Sequence, residues 1–198
     1  MKFKRLLIAA LTGCVVSNTS ATPLQDSIEA DYEYLDTLFK YLHANPELSM
    51  QEFKTSDRIA GELMVLGFKV TRGINKTGLV GILKNGDGPT LMIRADMDGL
   101  PVQEKTGLSY ASTATQKNLE NIEMPVMHAC GHDMHVTSLV GVARQMIDLK
   151  DQWQGTLILL GQPAEGALGG AIGMVADGLY DRVGLPDFAL ALHVLAKH

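Results

Sequence analysis

Thr156-Leu157-Ile158-Leu159-Leu160-Gly161-Gln162-Pro163-Ala164-Glu165-Gly166 is the stretch on which the fold turns. Its first five residues are almost all apolar and suit a buried strand, and the Pro-containing turn that follows delivers a carboxylate at the strand's end. Phe188 to Val194 repeats the apolar pattern and predicts a second buried strand, with His193 inside it. Helix-like stretches at Val136 to Leu149 and Ala171 to Ala176 alternate with these strands. Strands alternating with helices imply an α/β layered fold.

Working back toward the N-terminus, apolar residues from Ile28 to Leu42 recur at three- and four-residue steps behind Asp26 and Glu29, a capping box, and predict an amphipathic helix. The chain breaks at Asn45-Pro46. It restarts behind Ser49, with Glu52 three residues on, as a second helix that stops at Gly67. Phe68 to Val70, Gly78 to Leu83 and Thr90 to Ile93 read as strands, and Asn85-Gly86-Asp87-Gly88 predicts a hairpin between the second and third. Ser112 to Glu123 is polar without apolar period and reads as a surface excursion. The chain stops at Lys197-His198 directly after a core strand, which predicts the front part of a longer protein.

The 198 residues are 46% hydrophobic and 20% charged, enough apolar material for one globular domain and too much for a disordered chain. A net charge of −5 without an internal basic run excludes nucleic acid as a natural partner. Lys2, Lys4 and Arg5 precede an apolar stretch from Leu6 to Val16 that is too short to span a bilayer, the layout of a signal peptide over residues 1–21. Thr19 and Ala21 suit ordinary cleavage, whereas Leu11-Thr12-Gly13-Cys14 resembles the lipobox at which lipoproteins are cut and acylated. Either ending predicts export, to the periplasm or to a membrane anchor at Cys14, with residues 22–198 as the mature domain. The leader holds three of the 17 basic residues and no acidic one, so the remainder carries −8. Cys130 is then the one cysteine of the domain proper, and no internal disulfide can form.

Four segments carry chemistry. His128-Ala129-Cys130-Gly131-His132-Asp133-Met134-His135 packs thiol, imidazoles and carboxylate together, a metal-ligand set by composition. Cys130 and His132, two apart across a glycine, can face one ion, while His128 and His135 read as outer or packing residues. Arg94-Ala95-Asp96-Met97-Asp98 follows an apolar strand, so both carboxylates emerge where ligands gather, or else Arg94 and Asp96 pair on the surface. Glu165 reaches the same rim and is a general-base candidate beside a metal site. His193 alone reads as a hydrogen-bonded core histidine.

Together with Leu42-His43-Ala44-Asn45-Pro46-Glu47-Leu48, these segments resemble the co-catalytic metallopeptidase family of aminoacylases and carboxypeptidases, in its hippurate hydrolase and indole-acetyl-amino-acid hydrolase branch. The resemblance implies a zinc-exopeptidase-like fold, with a mixed central sheet flanked by helices, that stops before a lid and dimerisation domain. It implies a metal-dependent amidohydrolase acting on N-acyl amino acids or short peptides with one or two zinc or manganese ions. Cys130, His132 and His193 become metal ligands, Glu165 the catalytic acid/base and Asp98 the carboxylate that positions the centre. Asp96 stands where other branches keep a ligand histidine. Gly166 departs from the pattern, since the family places a second, metal-binding glutamate there, and a last ligand histidine belongs beyond residue 198. Those departures motivate the alternative of a catalytically impaired metal-binding fragment or pseudoenzyme. An exported solute-binding lipoprotein is a third reading, resting on the leader alone.

Overall fold

The computed structural model describes residues 23–167 and 169–195; the predicted leader lies outside them. Helix α1 (Pro23–Ala44) begins three residues before Asp26, which therefore sits inside its first turn instead of capping it. Helix α2 (Phe53–Val65) follows Glu52, whose side chain makes no cap bond. Glu47 does that work: its carboxylate accepts the backbone N–H groups of Lys54 and Thr55. Strands β1 (Lys69–Ile74) and β2 (Gly78–Asn85) form an antiparallel hairpin. Strand β3 (Thr90–Asp96) comes next, and the predicted surface excursion contains a two-stranded ribbon, β4 (Thr115–Lys117) with β5 (Glu123–Pro125). Helix α3 (His132–Asp148), β6 (Gly155–Gln162), α4 (Gly170–Ala176), α5 (Leu179–Val183) and β7 (Phe188–Ala191) complete the order.

The main sheet runs β1-β2-β6-β3-β7. The predicted β2–β3 hairpin is absent: β6 lies between the two, antiparallel to β2 and parallel to β3, with Leu157 opposite both Leu83 and Leu91. The physical reason is burial. Every residue of β6 except Thr156 is buried, so the strand needs a neighbour on each side, and Gly86–Pro89 cross the width of two strand spacings, roughly 10 Å. The parallel β3/β6 and β3/β7 pairs beside antiparallel β1/β2/β6 make the sheet mixed.

Alternation along β6 divides the core into two layers. Leu157 and Leu159 join Leu38, Leu42, Ile59, Leu63 and Leu139 beneath α1, α2 and α3. Ile158 and Leu160 face the other way, onto Met174 of α4 and Leu179 of α5. Replacing Leu159, which is fully buried, with alanine is expected to lower the unfolding free energy by about 3 kcal/mol, as for other Leu→Ala changes in packed cores. Urea melts followed by circular dichroism measure it, and a loss below about 1 kcal/mol would mean that this layer is loosely packed.

One strand departs from expectation in its surroundings. The apolar pattern predicts a buried strand over Phe188 to Val194, yet β7 ends at Ala191 and all four of its residues are exposed. The strand pairs with β3 along one side, and among the described residues no helix covers it. An apolar run reports that a face wants cover, not that cover is present.

Candidate metal centre

Because β3, β6 and β7 are parallel, their carboxyl ends share one rim, where ligand sites of open α/β sheets form. Asp96 is the last residue of β3, Glu165 lies three residues past β6, and His193 two past β7, outside the strand in which it was expected. His132 is the first residue of α3. The helix therefore starts four residues earlier than the apolar pattern indicated, and its first turn carries the site. Gly131 makes this possible: at φ +74° it turns the chain into the helix, and a Cβ there would lie 2.6 Å from Val194 Cγ2.

The hydrogen bonds fix which imidazole nitrogen is free. His132 Nδ1 donates to the Asp98 carbonyl oxygen at 2.8 Å, and His193 Nδ1 donates to the Val194 carbonyl at 2.8 Å. Each ring therefore presents Nε2 as its donor atom, the arrangement of a metal-ligating histidine with a backbone partner behind it. His132 Nε2 lies 3.7 Å from Asp96 Oδ2 and 3.5 Å from Glu165 Oε2; His193 Nε2 lies 3.6 Å and 4.0 Å from the same two oxygens. Ligand atoms on a tetrahedron with zinc bond lengths of about 2.0–2.1 Å are about 3.3–3.4 Å apart, so the spacing suits one ion. His132 Nε2 is buried without a hydrogen bond, an expensive state unless a cation completes it, and Asp96 Oδ2 beside it is buried with the Arg94 guanidinium as its charge partner.

His135 belongs to the same cluster, whose four ligand atoms from Asp96, His132, His135 and His193 lie within 4.8 Å of one another. Its nitrogens are already committed. Nε2 accepts the Val194 N–H at 3.0 Å, so Nδ1 carries the proton and donates to Asp96 Oδ1 at 2.5 Å. His135 thus ties the end of β3 to the segment after β7 and aims Asp96, an orienting partner as its place in the sequence suggested.

Asp98 sits behind His132. Its carboxylate accepts the Ser49 hydroxyl at 2.5 Å and the backbone N–H groups of Glu165 and Gly166 at 3.0 and 3.1 Å, and lies 3.2 Å from His132 Nδ1. Burial alone would raise its pKa; the bonds from His132, Ser49 and the Glu165 amide outweigh that and hold it at about 2. The His132 imidazole is in turn raised: burial opposes its charge, but the Asp98 hydrogen bond and the Asp96 charge win. Arg94 and Asp96 do pair, at 2.8 Å, with Asp96 fully buried instead of on the surface.

Cys130 lies outside the four-residue cluster and lines, with His193, a cavity of about 600 Å³. Burial and the carboxylates of Glu165, Asp98 and Asp96 push its thiol up. His128 is buried at the edge of the same cavity, and burial lowers its imidazole to about 4, so it is neutral near pH 7. Two residues that the sequence did not mark as part of the site also shape the rim. Glu52, fully buried and raised by that burial, accepts the Ala164 N–H at 2.8 Å and the Thr77 hydroxyl at 2.5 Å. It thereby pins the turn before Glu165, where Ala164 takes φ +49°. His43 is held between Asp133 at 2.6 Å and Glu104 at 3.0 Å.

Comparison with known proteins finds hydrolases and a metal-binding peptidase. Hippurate hydrolase of Campylobacter jejuni is 44% identical over 142 residues, 71% of this chain and 34% of that protein. An IAA-amino acid hydrolase of Arabidopsis thaliana is 37% identical over 166 residues, 84% of this chain and 35% of its own length. The chain thus spans about a third of these curated relatives. Among solved structures, the Bacillus subtilis YXEP protein, a dinuclear metal-binding peptidase, superposes with a TM-score of 0.72 at 32% identity, over 83% of this chain and 43% of that one. Residues 92–197, from β3 through His193, match the model of peptidase family M20/M25/M40, and to that family the chain belongs.

Proposed function

We propose that this chain carries the metal centre of an amidohydrolase that cleaves the amide bond of N-acyl amino acids or short peptides. The observation that carries the reading is the convergence of two Nε2 atoms and two carboxylate oxygens at 3.5–4.0 Å, with the His132 nitrogen buried and without a hydrogen bond. His132 and His193 hold a zinc or manganese ion in this proposal, with Asp96 as the adjoining oxygen donor and Cys130 as the thiolate that family resemblance implies. When bound, such an ion supplies Lewis acidity that polarises the scissile carbonyl and acidifies water. Glu165 takes the proton of the attacking water on its carboxylate and returns it to the leaving amine nitrogen. Asp98 keeps His132 oriented and, by gripping the Glu165 and Gly166 amides, holds the loop that bears the base.

Glu165→Gln tests the role. Hydrolysis of benzoylglycine is expected to fall at least about a hundredfold while zinc content, read by mass spectrometry, stays unchanged. Equal rates in the two proteins would remove Glu165 from the mechanism. A second reading, metal binding with impaired turnover, is supported by Gly166, where a side chain would begin 2.8 Å from Leu100 Cδ2 and 3.3 Å from Asp98 Oδ2. Wild-type protein that takes up zinc yet cleaves no N-acyl amino acid would favour it.

Export through residues 1–21, with cleavage after Ala21 or acylation at Cys14, is part of the proposal and is supported by the charge and apolar layout of that segment. Among the described residues no helix is long and apolar enough to cross a membrane.

A further inference from the structure

The two edges of the main sheet are unlike. Strand β1 carries Lys69 and Arg72, both exposed, and its register with β2 shifts between Arg72 and Ile74, so two cations and a bulge guard that edge against further pairing. Strand β7 has neither device. From Phe188 to Leu192 the sequence is Phe-Ala-Leu-Ala-Leu, without a charge, a proline or a glycine, and among the described residues no strand pairs with its outer side. Its large side chains share a face. Phe188 and Leu190 line a cavity of about 390 Å³ with Met146 and Trp153, and Leu192 lines a smaller one with Leu139 and Val142, so all three lie on the α3 side of the sheet.

We propose that the β7 edge of the 198-residue chain binds a second copy of itself: the two β7 strands pair antiparallel across a two-fold axis at Leu190 and join the two main sheets into one. The inference stands apart from the amidohydrolase reading. Residues opposite each other in an antiparallel pair point to the same face, so under two-fold symmetry the apolar face is kept only where a residue meets its own copy. Leu190 is the middle of the run. With Leu190 on the axis, Phe188 faces Leu192 of the other copy and Ala189 faces Ala191, so the whole run is paired and the pairing stops one residue short of His193. Each α3 packs over its own β3, so the two helices stand about three strand spacings, roughly 14 Å, apart, wider than the 8–10 Å of helices in contact. Phe188, Leu190 and Leu192 of both copies fill the difference. These residues are 61%, 56% and 76% exposed, which leaves roughly 350 Å² of side chain per copy to cover, about twice what one buried aromatic contributes. With the backbone of the edge, two copies bury about 1,000 Å², the lower bound of a specific interface, so the dimer is a weak one.

Sedimentation velocity of the full 198-residue chain tests the edge. Wild-type protein is expected to be dimeric at about 100 μM and monomeric at about 1 μM, as for a small interface. Leu190→Lys sets two ammonium groups opposite each other on the axis and is expected to raise the dissociation constant at least about tenfold. Cross-linking checks the register and does not depend on that variant. In Leu190→Cys the two new thiols sit on residues whose Cα atoms are about 4.5–5.5 Å apart, within disulfide range, and diamide, which takes up the two protons and two electrons of the thiol pair, is expected to give a covalent dimer. In Phe188→Cys the two copies of the residue lie four positions apart along the pair, roughly 13 Å, and no such product is expected. Cys14 and Cys130 are common to both variants and serve as the background in wild type. A wild-type monomer at 100 μM, whether another segment of the chain covers β7 or nothing does, would overturn the proposal. So would a dimer that Leu190→Lys leaves intact, or equal cross-linking of the two cysteine variants.

Discussion

Zinc affinity is expected to fall by about a hundredfold or more in His132→Ala, the larger of two losses that separate a ligand from its support. Structural zinc sites bind with roughly 10–16 kcal/mol spread over about four ligands, so one ligand accounts for about 3 kcal/mol or two orders of magnitude. His132 qualifies on geometry: Nδ1 is spent on the Asp98 carbonyl, and Nε2 is buried and unbonded toward Asp96 and Glu165. His135 lies in the same cluster with both nitrogens spent, on Asp96 and on the Val194 amide. His135→Gln is therefore expected to weaken zinc less, by about tenfold, as for an orienting partner. Competition against a chromophoric chelator measures both. Equal losses would place the two histidines in the same role, and an unaltered affinity in His132→Ala would move the ion elsewhere.

The second large effect falls on the turn that presents Glu165. Gly170 opens α4 directly beside the end of β6: an ideal Cβ at this position lies 1.6 Å from the Pro163 carbonyl oxygen and 2.6 Å from its carbon. Both are backbone atoms, held from the other side by the Gly170 N–H bond to the Ala164 carbonyl at 3.2 Å and by the Glu52 bond to the Ala164 amide. No rotamer change relieves such a clash, so Gly170→Ala must displace the Pro163–Glu165 turn or unravel α4. A loss on the order of 4 kcal/mol or more is expected, at the extreme of single substitutions. Gly169→Ala is the control, since its nearest neighbour, the Ala167 carbonyl oxygen, is 4.0 Å away. Thermal melts of the pair decide the matter: similar midpoints would show that the turn yields readily.

How much of this was legible in the sequence depends on what each signal reports. The apolar run of β6 and the carboxylates after β3 and β6 were readable because a buried strand and its exit are local properties. Strand neighbours are not local. Asn85 to Gly88 signals a reversal of the chain, and only the appetite of β6 for two partners shows that the reversal leaves room for a third strand. The exposure of Phe188 to Ala191 was invisible for the same reason, since cover comes from other parts of the structure. Within the site, His132, His193 and Glu165 were picked out by residue type and spacing, whereas the roles of His135 and Glu52 depend on which atoms meet across distant segments. Ser49 and Glu52 had the spacing of a helix cap, but the capping fell to Glu47, freeing Ser49 for Asp98 and Glu52 for the Ala164 turn.

The central position of β6 also bears on how the molecule is made. Strands β2 and β3 emerge from the ribosome about sixty residues before the strand that must separate them, joined by a connector well suited to closing on itself. If they zip together early, they form an off-route pairing that has to be unpicked before β6 can slot in. Non-local pairing of this kind slows folding and prolongs the exposure of sticky edges. Slower folding is thus the expected cost of the strand order β1-β2-β6-β3-β7, separate from anything the finished centre does.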